Sequence, residues 1–311
     1  MDKGSINIVT VSDDNYSCHL GVMLCSLFEN KSTEKVIKVY LIDVGISDSN
    51  LNKLRKISNT YKFKLEISRF DSETFNNFET RSHISNAAYY KISIPDLYPN
   101  LEKVLFLDCD LIVKKDIEEL WNINVESVYL AAVENPLFNR YDELFLPEGT
   151  ITFNSGIMLI NLAKWREDNI SQKVTKFLEE NSHKIRLHDQ GGFNALMYKN
   201  WKEISPKWNQ QSKFFELSYK QTTFTKEAFL TAKKDPSIIH YTTSSKPWHY
   251  LNTHPYESEY HKYREISPWG KVMFLDKNMK NSVIKFFLKV IPKRQYSKVR
   301  LLKSLVHYFA K

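Results

Sequence analysis

Glycine is scarce in this chain, 8 residues in 311, and no cluster of them forms a phosphate cradle. Neither GxGxxG nor GxxxxGK followed by Ser or Thr occurs, so the usual dinucleotide and P-loop sites are excluded; a bound nucleotide would have its phosphates held by something else. Cysteine is nearly absent too. Cys18, Cys25 and Cys109 are odd in number and share no paired spacing, so neither a zinc site nor a disulfide framework is signalled, and a reducing compartment fits best. No apolar run reaches the roughly 18 residues of a membrane span, and the short apolar stretch at the start, broken by Asp13 and Asp14, does not make a secretory signal. The expectation is a protein made and kept in the cytoplasm.

The composition is that of an ordinary globular protein: 42% hydrophobic, 14% aromatic and 26% charged residues. A chain this long buries a substantial core without metals or cross-links as structural props. Net charge is +8, and its distribution says more than its size. Of the 44 Lys and Arg, ten lie between Asp276 and Lys311 beside a single Asp, whereas the other 275 residues carry 34 basic and 35 acidic side chains. The basicity belongs to the tail.

The first 135 residues alternate short β-branched runs with helical patterns, the signature of a parallel sheet with crossover helices. Strands are expected at Ile6 to Val11, Val36 to Ile42 and Phe63 to Ile67. Leu20, Leu24, Leu27 and Phe28 share one helix face, and Ser47 is a plausible N-cap for a helix carrying Leu51, Leu54 and Ile57. A helical stretch from about Ser85 to Ile94 is expected to end at Pro95. Lys103 to Leu107 (KVLFL) has the continuous apolar character of a strand buried on both faces. Further strands are expected at Val128 to Val133 and Gly156 to Ile160, and helices near Asn161 to Glu180 and Asp189 to Lys199. The stretch Trp201 to Thr243 shows no assignable period.

Asp108-Cys109-Asp110 follows KVLFL at the carboxyl end of the strand, where ligands bind in open α/β sheets. Residues i and i+2 of an extended segment point the same way about 6.6 Å apart at Cα, so two parallel carboxylates repel unless a cation joins them. Hard divalent ions suit such oxygen ligands. His240, at the end of a strand-like Ser237 to Ile239, can add a neutral imidazole, and Lys246 a compact positive charge for a phosphate. Asp13 and Asn15 sit in the first loop after strand 1, where a base or ribose is commonly held. Asn154-Ser155-Gly156 reads as a turn before a strand, and Asp189-Gln190 opens a helix. Taken singly each feature has a plainer reading: turn-capping aspartates, a hydrogen-bonded histidine, a solvated lysine, N-caps at Asp13 and Asp189.

The ordered set VSDDNY (11–16), HIS (83–85), YYK (89–91), VLFLDCDLIV (104–113), FNSGIMLINLAKW (153–165), DQGGFN (189–194) and HYTTSSKPWH (240–249) resembles glycosyltransferase family 8. The likeness is to the bacterial retaining hexosyltransferases of lipopolysaccharide and lipooligosaccharide, over roughly Ile6 to His249. It implies an α/β GT-A fold, a Rossmann-like and mostly parallel central sheet flanked by helices, with a catalytic domain over 1–265 and a basic amphipathic helical tail over 266–311. It also implies transfer of galactose or glucose from a UDP-hexose to a glycan acceptor with retention, using Mn²⁺, or Mg²⁺ in its place. By position Asp108, Asp110 and His240 would be the metal ligands. Asp13 and Asn15 would hold uracil and ribose, Lys91, Asp108 and Lys246 the rest of the donor, and Asn154, Asp189 and Gln190 the transferred sugar; His83 and Glu134 would meet the acceptor.

Two departures from the family pattern stand out. Lys91 takes the place of an Arg, replacing a bidentate fork with a point charge. Gly191 and Gly192 stand where a second carboxylate commonly follows Asp-Gln, which removes a candidate nucleophile and favours same-face attack.

Beyond the catalytic region, Val283, Phe286, Phe287, Val290 and Ile291 recur at helical spacing with Lys285 and Lys289 on another face. After Pro292, Val299, Leu302, Leu305, Val306 and Phe309 repeat the pattern beside Lys298, Arg300 and Lys303. Such helices suit an anionic membrane surface at the inner face of the plasma membrane, where a lipid-linked acceptor would lie; packing on the core is the other reading. Nucleic acid is not expected as a partner, because 1–275 is slightly acidic and lacks a nucleic-acid motif. The rival functions are a non-catalytic UDP-sugar-binding or scaffold protein and an inverting transferase.

Overall fold

The computed structural model describes residues 4–69, 90–181, 183–185, 188–274 and 276–290. The chain starts with β1 (Ser5–Ser12), α1 (Asp14–Glu29), β2 (Val36–Asp43), α2 (Asp48–Tyr61) and β3 (Lys64–Arg69). Asp13 caps α1 by accepting the Tyr16 N–H at 2.8 Å, and Ser47 caps α2 through the Asn50 N–H. The strands that follow are β4 (Lys103–Leu107), β5 (Leu111–Val113), β6 (Leu130–Glu134), β7 (Phe153–Asn161), β8 (Trp201–Glu203), β9 (Gln210–Gln211) and β10 (Ile238–His240).

Seven strands form the main sheet in the order β3-β2-β1-β4-β7-β6-β8, and only β7 runs against its neighbours. The mostly parallel sheet expected from the sequence is therefore present. Successive residues of β4 feed opposite cores, as a period of two requires. Leu105 and Leu107 pack with α1 and α2, whereas Val104 and Phe106 join Trp165, Val174 and Phe193 from the helices Leu162–Glu167, Ile170–Asn181 and His188–Met197.

Past Leu107 the chain crosses from this sheet into a smaller one, ordered β5-β10-β9. The crossing is Asp108-Cys109-Asp110, so both carboxylates hang at the seam between sheets. Antiparallel pairing sets His240 opposite Leu111, and the Tyr241 N–H donates to the Asp110 carbonyl at 3.1 Å. On the other side the Asp108 N–H donates to the Gly156 carbonyl of β7 at 2.9 Å. Three chain segments remote in sequence are thus held in register at one point.

Three local expectations change. Asn154-Ser155-Gly156 lies inside β7, because Phe153 pairs with Glu134 and extends the strand beyond its apolar run. Pro95 opens a short helix, Ile94–Leu97, where its missing N–H costs nothing; most of the helix expected before it lies outside the described residues. The unassigned stretch holds β8, β9, the helix Lys226–Lys234 and β10, elements of two to nine residues that leave little periodicity.

After the helix Glu257–Ile266 the chain stays attached to the core. Trp269 donates its indole N–H to Asn50 at 3.0 Å, and Asp276 accepts the Tyr250 N–H at 2.9 Å. In the helix Met279–Val290, Met279, Val283 and Phe286 are exposed, while Lys285 turns inward to the Tyr250 carbonyl. The second half of the expected tail, 291–311, lies outside the described residues.

An aromatic cluster joins α1 to the Ser244–His249 loop. His19 stacks on Trp248 with ring centroids 3.4 Å apart and has its Nδ1 2.7 Å from the Tyr260 hydroxyl. Burial, aided by the Arg264 charge, pushes the His19 pKa down to about 3. The imidazole is therefore neutral in the fold, whereas in the unfolded chain it takes up a proton below its ordinary 6.5. Stability contributed in this way is full above pH 6.5 and falls as the pH drops toward 3. Urea unfolding of wild type should lose about 2–3 kcal/mol through this group by about pH 4.5. His19→Phe, which keeps the stack, should flatten that dependence, and an unchanged pH profile would refute the assignment.

Candidate active site

The His240 Nε2 lies 3.3 Å from Asp110 Oδ1 and 3.9 Å from Asp108 Oδ2, and one ligand atom from each residue falls within 4.8 Å of the others. Among the described residues this is the one cluster of three or more His, Cys, Asp or Glu so disposed. Cys109 between the carboxylates points away, donating its thiol to the Val11 carbonyl at 3.1 Å. All three cysteines are free, in keeping with the sequence.

Room for the cluster comes from Gly156. A Cβ there would stand 2.3 Å from His240 Cε1 and 2.6 Å from Asp108 Oδ2. Two carboxylates and one imidazole around a cradle that tolerates no side chain are a suitable donor set for a divalent ion. Mn²⁺ accepts both oxygen and nitrogen ligands, whereas Mg²⁺ prefers oxygen alone.

The electrostatics also favour a cation. Burial raises the Asp108 pKa, Lys91 offsets this only in part, and the neighbouring Asp110 carboxylate adds to the rise. Burial acts on Asp110 too, but the His240 ring and the Lys246 ammonium outweigh it and hold that carboxyl below its usual range. Lys246 Nζ is 2.6 Å from Asp110 Oδ2. Lys91 lies deeper, 2.8 Å from Asp189 Oδ2 and 3.4 Å from Asp108 Oδ1. Burial disfavours its charge, yet the two carboxylates more than compensate and raise its pKa.

Asp189 and Gln190 sit in the first turn of the helix His188–Met197. Gly192 lets that helix close on its neighbour, since a Cβ would stand 2.9 Å from Val174 Cγ1. The Gln190 Oε1 accepts from the Asn154 amide and from the Ser155 N–H, both at 3.1 Å.

A cavity of about 680 Å³ opens beside these groups, and Lys91, Asp108, Asn154, Asp189 and Gln190 all line it. Arg140 and Lys213, which the sequence did not single out, add positive charge to its wall. A second cavity of about 510 Å³ adjoins it through Thr243 and Ser244. Asp13 and Asn15 are at the head of α1, with the Asp13 carboxylate acting as the helix cap. Glu134 is buried, and its Oε2 accepts from both the N–H and the hydroxyl of Thr223; the segment after it, Asn135 to Arg140, faces the cavity instead. His83 lies outside the described residues. Sequence reasoning missed Asn209, wholly buried and 3.0 Å from His240 Nδ1.

Residues 7–252 match the family described as glycosyl transferase family 8. General stress protein A of Bacillus subtilis is 34% identical over 86% of this chain and 96% of its own length. The lipopolysaccharide 1,3-galactosyltransferase of Salmonella typhimurium is 23% identical over 99% of this chain and 91% of its own. Among solved structures, the galactosyltransferase LgtC in complex with donor and acceptor sugar analogs superposes with a TM-score of 0.74 at 22% identity, covering 85% of this chain and 96% of that one. The sheet order, the carboxylate pair at the seam and these likenesses converge: the fold is of the GT-A type, and the chain belongs to glycosyl transferase family 8.

Proposed function

We propose that this chain is a metal-dependent retaining hexosyltransferase that moves galactose or glucose from a UDP-sugar to a glycan acceptor of a cell-surface polysaccharide or lipooligosaccharide. The observation that carries this reading is the meeting of Asp108, Asp110 and His240 at the edge of a polar cavity, with Lys246 against Asp110. Membership of the family and the relatives named lipopolysaccharide galactosyl- and glucosyltransferases support it.

Asp108, Asp110 and His240 hold Mn²⁺ in this reading; bound there, the ion supplies Lewis-acid stabilisation of the leaving diphosphate. Lys246 adds preorganised positive charge to the same oxygens once the nucleotide draws it from Asp110. Asp13 and Asn15 take the uracil and ribose. Lys91 bridges Asp189 and Asp108 as a fixed cation, and Asp189 meets sugar hydroxyls. Positive charge develops on the sugar ring as the bond to phosphate breaks, and the carboxylates around the cavity favour it.

Retention requires a double displacement or attack on the face the phosphate leaves. Gln190 is a poor nucleophile, its oxygen already accepts two hydrogen bonds, and glycines follow it. We therefore favour same-face attack, with a β-phosphate oxygen accepting the acceptor's proton. Proton NMR of the hexose first released by slow hydrolysis of UDP-α-hexose tests retention; the α anomer is expected, and the β anomer would make the enzyme inverting.

The remaining part of the proposal concerns 276–311, as a segment that rests on an anionic membrane near a lipid-linked acceptor. Exposed Met279, Val283 and Phe286 support it, and no helix of the described residues is long and apolar enough to cross a membrane. Sedimentation with anionic phospholipid vesicles should be strong for the full chain and fall at least fivefold when these three are changed to Glu. Equal binding by both proteins would remove the membrane from the proposal.

A further inference from the structure

We propose that Asn209 is a positioning residue which, through one continuous hydrogen-bonded chain, fixes both the tautomer of His240 and the way the Gln190 amide faces the cavity. The part concerning Gln190 rests on the reading of that cavity as the donor-sugar site.

Side-chain amides look alike at both ends, and their orientation has to come from partners that can act in one sense only. Two backbone N–H groups supply that sense here. The Gly156 N–H donates to Asn154 Oδ1 at 3.1 Å, so that atom is the oxygen and Asn154 Nδ2 is turned toward Gln190. The Ser155 N–H donates to Gln190 Oε1 at 3.1 Å, which independently assigns the end of Gln190 that meets Asn154. Asn154 Oδ1 also lies 2.8 Å from the Asn209 amide, whose Nδ2 must be the donor. Asn209 Oδ1 is then left facing His240 Nδ1 at 3.0 Å and accepts a ring N–H there.

The consequences appear at the two ends. With its proton on Nδ1, His240 presents the Nε2 lone pair to the position between Asp108 and Asp110, the form a metal ligand needs. Gln190, its oxygen engaged by two donors, presents its NH₂ to the cavity and so acts on the sugar as a hydrogen-bond donor. The members behind Gln190 are sheltered: Asn209 is 0% exposed, His240 4% and Asn154 9%. The helix carrying Gln190 is itself pinned to β7, because the Asn194 amide donates to the Gln190 and Phe153 carbonyls. Rotating one amide in such a chain forces the next to rotate or leaves a buried group without a partner.

Two substitutions separate this role from simple packing. Asn209→Asp keeps an acceptor for the His240 Nδ1–H and removes the donor to Asn154. Asn209→Leu, of similar volume, removes both. With Mn²⁺ alone as the probe, read by the electron paramagnetic resonance of the free ion, the Asp variant should bind no more weakly than wild type. The Leu variant should lose about 10–100-fold in affinity. The Asp variant should nonetheless hydrolyse UDP-hexose about 10–100-fold more slowly in kcat, with KM changed less than threefold. Parallel behaviour of the two variants in Mn²⁺ affinity, or wild-type kcat in the Asp variant, would overturn the proposal.

A measurement on the wild-type protein with Cd²⁺, a diamagnetic probe, in the metal position stands independent of any variant's folding. Nitrogen-15 NMR, with the His240 signals identified by their loss in His240→Gln, should show a proton on Nδ1 and the metal on Nε2. The opposite tautomer would overturn the proposal. The predicted tautomer and Mn²⁺ split in a protein that hydrolysed no UDP-hexose would leave Asn209's action on His240 standing and refute the reaction instead.

Discussion

Asp110→Asn is expected to lower kcat for Mn²⁺-dependent transfer roughly a thousandfold, about 4 kcal/mol of transition-state stabilisation, while the protein stays folded. The argument rests on what Asp110 touches. Its two oxygens face different groups: Oδ1 lies 3.3 Å from His240 Nε2, and Oδ2 lies 2.6 Å from Lys246 Nζ. An amide keeps the shape, removes the charge that both groups face, and gives the metal position one anionic ligand in place of two. Mn²⁺ affinity should fall with kcat, and circular dichroism should show an unchanged fold, because the backbone of Asp110 is held by the Tyr241 N–H rather than by its side chain. Near-normal turnover with the original Mn²⁺ dependence would contradict the ligand assignment.

Gly156→Ala carries the second large effect, because the added methyl falls on two of the three residues of the cluster. The added methyl would approach His240 Cε1 to 2.3 Å and Asp108 Oδ2 to 2.6 Å. Gly156 has no positive φ, so alanine is acceptable to the backbone and the conflict is wholly one of space. Relief by moving the strand is blocked, since the Gly156 carbonyl accepts from the Asp108 N–H and the next residue, Ile157, pairs with Leu107. His240 or Asp108 must therefore move. Overpacking of this kind costs about 1–3 kcal/mol, which urea unfolding would read. Mn²⁺ affinity should drop about a hundredfold or more, consistent with displacement of one ligand. An alanine variant that bound Mn²⁺ like wild type would show that the three residues do not act together.

Much of this site is legible in the sequence because its chemistry hangs on the ends of apolar strands. KVLFL announces a strand buried on both faces, and Asp108 and Asp110 follow at the end where open sheets bind ligands. His240 likewise ends a short apolar run. What cannot be read is that β10 lies beside β5, since that neighbourhood joins residues more than a hundred positions apart. Asn154-Ser155-Gly156 has turn composition but is recruited into β7 by pairing with β6, tertiary contact overriding local preference.

Asn209-Gln210-Gln211 is the plainest failure of local reading. Three consecutive amides look like a solvated loop, yet all are buried, at 0%, 0% and 1% exposure. Asn209 is satisfied by His240 and Asn154, and Gln211 donates to the Glu134 carbonyl, partners 31, 55 and 77 residues distant. Polarity predicts exposure only where the partners are water; here they are other segments of the chain. Glu134 shows the converse, for an acidic residue beside the cavity has its carboxylate turned to Thr223 and leaves the wall to its successors.

The central claim is tested most directly by incubating the purified protein with a panel of nucleotide sugars, with and without Mn²⁺, and following nucleotide release without acceptor, with donor binding read by thermal shift in the same samples. UDP release from one UDP-hexose, present with Mn²⁺ and absent without it, is the predicted result and would name the donor. Neither release nor metal-dependent binding of any UDP-hexose would contradict the account and favour a non-catalytic protein on the same fold.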